Sequence, residues 1–190
     1  FLSVADHPRL DSGGCGYRFD DEGTPARQVL LIHRGKVGEP MRDRLEAEAC
    51  GAAPDGHGRR TSYRFGAIPR VSHTEVLPHS GEYAGILGST GQGLWVSQAT
   101  PRHVNPLTGE FSFWVDEGRL IRDGVLGATV GPTLLRGKIL DALRGIDAVG
   151  ADQRTSFGVK GCSKLDQPGL PVSFGLPTVR FSSLWVEPAP

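Results

Sequence analysis

The 190-residue chain has a single methionine, Met41, and opens on Phe1. A translated chain starts with methionine, so the expectation is that a native start lies upstream, and that this is a fragment, a processed product or one half of a split protein. Lysine is scarce, four residues against 17 arginines. The 21 basic residues nevertheless balance 21 acidic ones, and the pI is about 7.2. Without an excess of one sign, a nucleic-acid binder that relies on a basic field and a polybasic membrane surface are both excluded. The three cysteines, Cys15, Cys50 and Cys162, are odd in number, far apart and without a CxxC pair. No disulfide framework is expected from them, and a reducing cytoplasm is the expected compartment. No apolar run approaches the roughly 20 residues of a membrane-spanning helix. The first residues carry no basic stretch followed by an apolar one, so they do not read as a signal peptide. P-loop, GxGxxG, GxSxG and HExxH motifs are missing, and no two of the six histidines lie three to five residues apart as metal ligands on one helix face would.

Turn formers are abundant: 27 glycines and 14 prolines. With 38% hydrophobic residues they predict many short strands around a modest core rather than a helical bundle. Residues 1–25 read as an irregular N-terminal segment. Strands are expected at 26–37 with a turn at 34–36, and at 71–77, 93–98, 110–115, 118–121, 125–130, 146–149, 159–162, 170–174 and 178–186. Helices are expected at 41–50, closed by Gly51, and at 132–144, where Leu135, Ile139, Leu140 and Leu143 form a stripe and Gly145 stops the helix. Residues 81–91 read as weakly helical. The fold class that follows is α+β: a single domain over 1–190, mostly antiparallel β-sheet, with two or three helices packed on it.

Three segments could carry chemistry. DDEGTP at 20–25 could bind a cation, but Asp, Gly and Pro are turn formers and the turn is the stronger reading. Arg59, Arg60, Arg64 and Arg70 lie close together in sequence near Tyr63 and Phe65. They could clamp a carboxylate or phosphate, or form a solvated loop with salt bridges. Cys162 sits in GVKGCSK at 158–164, behind Gly161 and between Lys160 and Lys164. Glycine permits close backbone approach to a ligand, and neighbouring cations favour a thiolate, which is both nucleophile and zinc ligand. The alternative is a small buried hydrophobe, as most free cysteines are. Cys15 and Cys50 lack such a setting and read as structural.

Several segments, in this order, resemble the C-terminal half of the TldD/PmbA family of metallopeptidases. They are DDEGTP at 20–25, GRRTSYR at 58–64, PRVSHT at 69–74, NPLTGEFSF at 105–113, LGAT at 126–129, AVGAD at 148–152, GVKGCSK at 158–164 and LPVSFGLPTVRF at 170–181. They cover almost the whole chain, and the cysteine makes the resemblance closer to the TldD-type subunit than to its PmbA/TldE-type partner.

That resemblance implies zinc-dependent hydrolysis of short or unstructured peptides. It implies a zinc site of two histidines from an HExxxH helix plus one cysteine, which here matches Cys162. The HExxxH-bearing N-terminal part is absent from these residues. The chain is therefore expected to contain no complete catalytic set, to share its zinc with a companion chain or segment carrying HExxxH, and to pair with a PmbA/TldE-like subunit as a cytoplasmic heterodimer. Ser163 stands where the family commonly has Gly, His73 where it has Asn, and Arg102-His103 replace a Gly-rich stretch. Arg60, His73, Thr74, Gly161 and Ser163 are the expected substrate-binding residues. Two alternatives stand beside the peptidase. One is a divergent hydrolase of natural-product biosynthesis acting on a small peptide-like or thiol conjugate. The other is a non-catalytic scaffold subunit. An extended peptide is expected to add as a strand to a sheet edge near Cys162.

Overall fold

A computed structural model describes residues 1–8, 14–158 and 160–189. In chain order the elements are β1 (Val4–Asp6), β2 (Val29–His33), β3 (Lys36–Val37), α1 (Arg44–Ala49), β4 (Gly58–Arg59), β5 (Ile68–Pro69), β6 (His73–Val76), α2 (Tyr83–Gly88), β7 (Gln92–Val104), β8 (Glu110–Arg122), β9 (Val125–Thr129), β10 (Thr133–Lys138), α3 (Ile139–Arg144), β11 (Ile146–Val149), β12 (Arg154–Phe157), β13 (Cys162–Lys164), β14 (Gln167–Leu170), β15 (Ser173–Leu176), β16 (Val179–Phe181) and β17 (Trp185–Pro188). The expected α+β class, mostly antiparallel with three short helices, is what the chain adopts. It folds as two compact units, Phe1–Pro78 with Gln153–Pro177, and His79–Asp152 with Thr178–Pro190.

The first unit is built on a six-stranded sheet of order β12-β15-β6-β1-β2-β3. Its β15–β6 pairing is parallel and the others are antiparallel. Residues 1–25, read as irregular, in fact supply β1 near the middle of this sheet, between β6 and β2. Three residues are too few to show a period in sequence. The strand expected over 26–37 is a hairpin of β2 and β3. Its two-residue turn places Arg34 and Gly35 at φ 49° and 79°, the left-handed pair that matches strand twist. Helix α1 is shorter than the expected 41–50 because Asp43 caps it: the Asp43 carboxylate accepts the Glu46 N–H at 2.7 Å.

The second unit is a sheet of order β17-β10-β8-β7 with β9 paired to β8. Strands β7 and β8 are each 13 residues long, so the strands expected at 110–115 and 118–121 are one continuous element. The helix expected over 132–144 is half strand: Thr133–Lys138 is β10 and only Ile139–Arg144 is helical. Pairing on both sides, with β8 and with β17, overrides the leucine stripe. A helix would also leave the β8 ladder unpaired on that side. The weakly helical 81–91 contains α2, and the strand expected at 178–186 divides into β16 and β17. Part of the expected 159–162 strand, Val159, lies outside the described residues.

Apolar core residues are few and mostly small: Leu2, Ala5, Val29, Ala47, Leu170 and Val172 in the first unit. The largest fully buried side chains of that unit are polar: Arg70, His57, His73, Asp6, Ser72 and Ser173. A connected hydrogen-bond network therefore does much of the packing there, and such a network is specific only if its members are satisfied.

Candidate functional site

Cys162 opens the β13–β14 hairpin, opposite Leu170. Gly161 before it has φ +63°, and a Cβ there would collide with the Leu170 carbonyl. The glycine is thus required by the hairpin's own backbone rather than by an approaching ligand. Ser163 is exposed and its hydroxyl accepts the Gly169 N–H at 3.1 Å, tying the hairpin ends together. The Cys162 thiol is half-buried, neither solvated nor sealed.

The hairpin lies on the arginine-rich segment. Thr61 N–H donates to Gln167 Oε1 at 3.0 Å and Thr61 Oγ1 to the Pro168 carbonyl at 2.9 Å. Gln167 Nε2 donates to the Gly66 carbonyl at 2.9 Å. Lys164 Nζ donates to the Pro69 carbonyl at 2.9 Å, so this lysine is directed at a main-chain oxygen. The cation that touches the sulfur is Arg70: its Nε donates to Cys162 Sγ at 3.3 Å, and its Nη2 donates to the Cys162 carbonyl.

The four arginines do not form one anion clamp. Arg59 is buried, donates to the carbonyls of Val71 and Pro171, and stacks over Tyr17 at 5.1 Å. Burial pushes the Tyr17 hydroxyl up, a rise that the Arg59 cation opposes. Arg64 covers the exposed Tyr63 ring at 5.7 Å. Arg60 is half-buried and its N–H donates to Asp21 Oδ2 at 2.8 Å.

DDEGTP is the expected turn, and it fastens this segment. Asp20 accepts the N–H groups of Glu22, Thr24 and Gly58 at 3.0, 2.8 and 2.9 Å. Glu22 accepts the Arg44 N–H at the start of α1. Main-chain donors use the carboxylate oxygens a cation would need.

Asp55, His57 and Asp6 form a buried charged chain. His57 Nδ1 lies 2.8 Å from Asp55 Oδ1, and its Nε2 lies 3.1 Å from Asp6 Oδ1. Burial alone would lower the His57 pKa; the hydrogen bonds to Asp55 and Asp6 outweigh it and raise the value to about 9. Asp6 also accepts from Ser72 N–H, Ser72 Oγ and Thr74 Oγ1. Burial acts to raise the Asp6 carboxyl, but the hydrogen bonds from His57, Ser72 and Thr74 together hold it below its usual 3.8.

Of the expected substrate residues, Gly161 and Ser163 lie with Cys162 on the hairpin. Thr74 is committed to Asp6. His73 does not line a cleft on this chain: it is 1% exposed, its Nδ1 lies 2.8 Å from Ser173 Oγ, and its Nε2 lies 3.8 Å from Glu75. Ser173, His73 and Glu75 have the connectivity of a hydrolytic triad, but Ser173 is fully buried and takes the Cys15 N–H at 2.7 Å. No substrate reaches that hydroxyl. The residues that sequence reasoning missed are Asp6, Asp55 and His57 as a unit, and Arg70 as the neighbour of the thiol. Arg70 is visible in sequence only as one member of the arginine cluster.

A protein-family model described as PmbA/TldA metallopeptidase C-terminal domain matches residues 1–187. The Metalloprotease TldD homolog of Buchnera aphidicola subsp. Acyrthosiphon pisum is 31% identical over 167 residues, 88% of this chain and 34% of that protein. The Zinc metalloprotease TldD homolog of Saccharolobus solfataricus is 26% identical over 193 residues, 98% of this chain and 41% of that protein. The chain thus spans about a third to two-fifths of these relatives' length. The crystal structure of TldE from Thermococcus kodakarensis superposes with a TM-score of 0.76 at 20% identity, over 95% of this chain and 38% of that one. A structure from Thermotoga maritima does so with a TM-score of 0.78 at 22% identity, over 98% and 39%. At these identities the structures show the fold.

Proposed function

The chain belongs to the PmbA/TldA metallopeptidase C-terminal-domain family, and on that footing we propose that it is the C-terminal part of a zinc-dependent peptidase for short or unstructured peptides. Cys162 is its metal ligand. The two histidines and the general base come from an HExxxH segment on a companion chain or an upstream part of the same one. The observation that carries the reading is the presentation of Cys162: a half-buried sulfur on a tight hairpin, with an arginine N–H on one side of it.

A thiolate sulfur that accepts one hydrogen bond keeps lone pairs for a metal, and sulfur suits zinc. Catalytic zinc takes three protein ligands, so one sulfur fits as a share of the site and not as the whole. Among the described residues no group of three or more His, Cys, Asp or Glu side chains could hold a metal. When bound, zinc lowers the pKa of a water ligand to about 7 and polarises a carbonyl. This chain's part is to hold the sulfur and to bind the peptide.

For binding, β12 is the edge of the six-stranded sheet, its four residues are exposed, and it ends five residues before Cys162. An edge strand offers unpaired main-chain groups, which pair with a peptide irrespective of its side chains. The partner subunit is TldE-like, and the three free cysteines suit a reducing cytoplasm.

The test is the Cys162→Ala variant in the complex with the HExxxH segment. It should lose zinc stoichiometry and peptide hydrolysis together, and retention of both would refute the ligand role. A proline scan of β12 tests the docking edge. Proline at the position whose N–H faces outward should weaken peptide binding without lowering Tm, and unchanged affinity at every position would refute it.

A further inference from the structure

We propose that Arg70 is a positioning residue for the metal site, setting the direction of the Cys162 sulfur. The proposal rests on the reading of Cys162 as a ligand. Arg70 is 1% exposed and is first by volume among the fully buried side chains. A guanidinium is always charged, and burying one costs several kcal/mol unless it is well paired. Arg70 makes no salt bridge to a carboxylate among the described residues. Its fork is spent on one residue: Nε on the Cys162 sulfur at 3.3 Å and Nη2 on the Cys162 carbonyl. Its Nη1 is buried with no hydrogen-bond partner among the described residues.

Two donors from one rigid plane, one to the sulfur and one to the backbone oxygen of the same residue, fix the Cys162 side-chain torsion relative to the hairpin. The sulfur lone pair that takes the N–H is used, so the others are left to face away from Arg70. The Arg70 backbone is itself held, because its main-chain N–H donates to the carbonyl of His57, the centre of the Asp55–His57–Asp6 chain, at 3.0 Å. Lysine cannot replicate this, since an ammonium is a point donor without a fork. Lys164, one of the two lysines that flank Cys162 in sequence, is engaged with the Pro69 carbonyl instead. Outer partners of this kind orient metal ligands, and their loss typically weakens metal binding by about 10–100-fold.

The experiment uses the complex of this chain with its HExxxH segment, loaded with Co2+ in place of zinc. A cysteine ligand gives a thiolate-to-cobalt charge-transfer band in the near ultraviolet. A hydrogen bond to the sulfur lowers the energy of its lone pairs and moves the band to shorter wavelength. Arg70→Ala should move the band to longer wavelength and weaken Co2+ and Zn2+ binding by about 10–100-fold. A folded Arg70→Ala protein with the wild-type band and affinity would overturn the proposal. If Arg70→Ala does not fold, Arg70→Lys decides by the same two readouts: a moved band supports positioning, and a wild-type band and affinity overturn it. Failure of the underlying ligand reading looks different. In that case the wild-type complex shows no thiolate band, or Cys162→Ala keeps it.

Discussion

His57 engages both ring nitrogens with carboxylates, and only the doubly protonated ring donates to both. Its folded pKa of about 9 lies above the usual 6.5. The stabilisation is therefore complete below pH 6.5 and is lost as pH rises through 9. Thermal melts should show Tm falling over that interval, and a His57→Gln variant should flatten the slope. The Asp6 carboxyl is held below 3.8, so its contribution is present above that pH and is lost as pH falls below it. Removing its charge leaves a buried imidazolium with one partner: Asp6→Asn should cost about 3–5 kcal/mol in denaturant unfolding. At this scale Cys162 is legible in sequence because its glycine and its neighbouring motifs are local. Its arginine is not, since Arg70 lies 92 residues away. Asp6 and His57 are 51 apart, and nothing in either one's neighbourhood announces the other.

At the scale of elements, the hairpin that presents the thiol depends on a backbone that only glycine tolerates. Gly161→Ala would place a methyl against the Leu170 carbonyl at a positive φ. It should raise amide exchange over 162–170 while leaving β7 and β8 protected, and a uniform exchange pattern would argue that the hairpin adapts. Short elements with strong local punctuation are readable: the Arg34-Gly35 turn and the Asp20–Pro25 loop. Elements whose state depends on remote pairing are not. β10 has the leucine spacing of a helix and becomes a strand because β8 and β17 flank it. β1 is three residues long and owes its place to β2 and β6.

For the molecule as a whole, charge and composition are the readable quantities. Basic and acidic residues balance at 21 each and the pI is about 7.2. Solubility should pass through a minimum near that pH and recover on either side, which light scattering across pH 5–9 would show. The mostly antiparallel, strand-rich class follows from the glycine and proline content. The division into two units does not, because both are discontinuous in sequence and carry no compositional boundary. Nor does the polar interior of the first unit: from the sequence Arg70 belongs to a candidate anion clamp and His73 to the expected substrate residues, and only the assembled network buries both with His57.

Strand β15 sits between β6 and β12, although the chain runs through residues 79–152 before it makes either β12 or β15. The parallel β15–β6 contact joins residues about a hundred positions apart. The sheet of the first unit therefore has high contact order and closes late, after β15 has been synthesised. Until then β6 has an open edge, so a nascent or C-terminally shortened chain exposes a pairing surface to other chains.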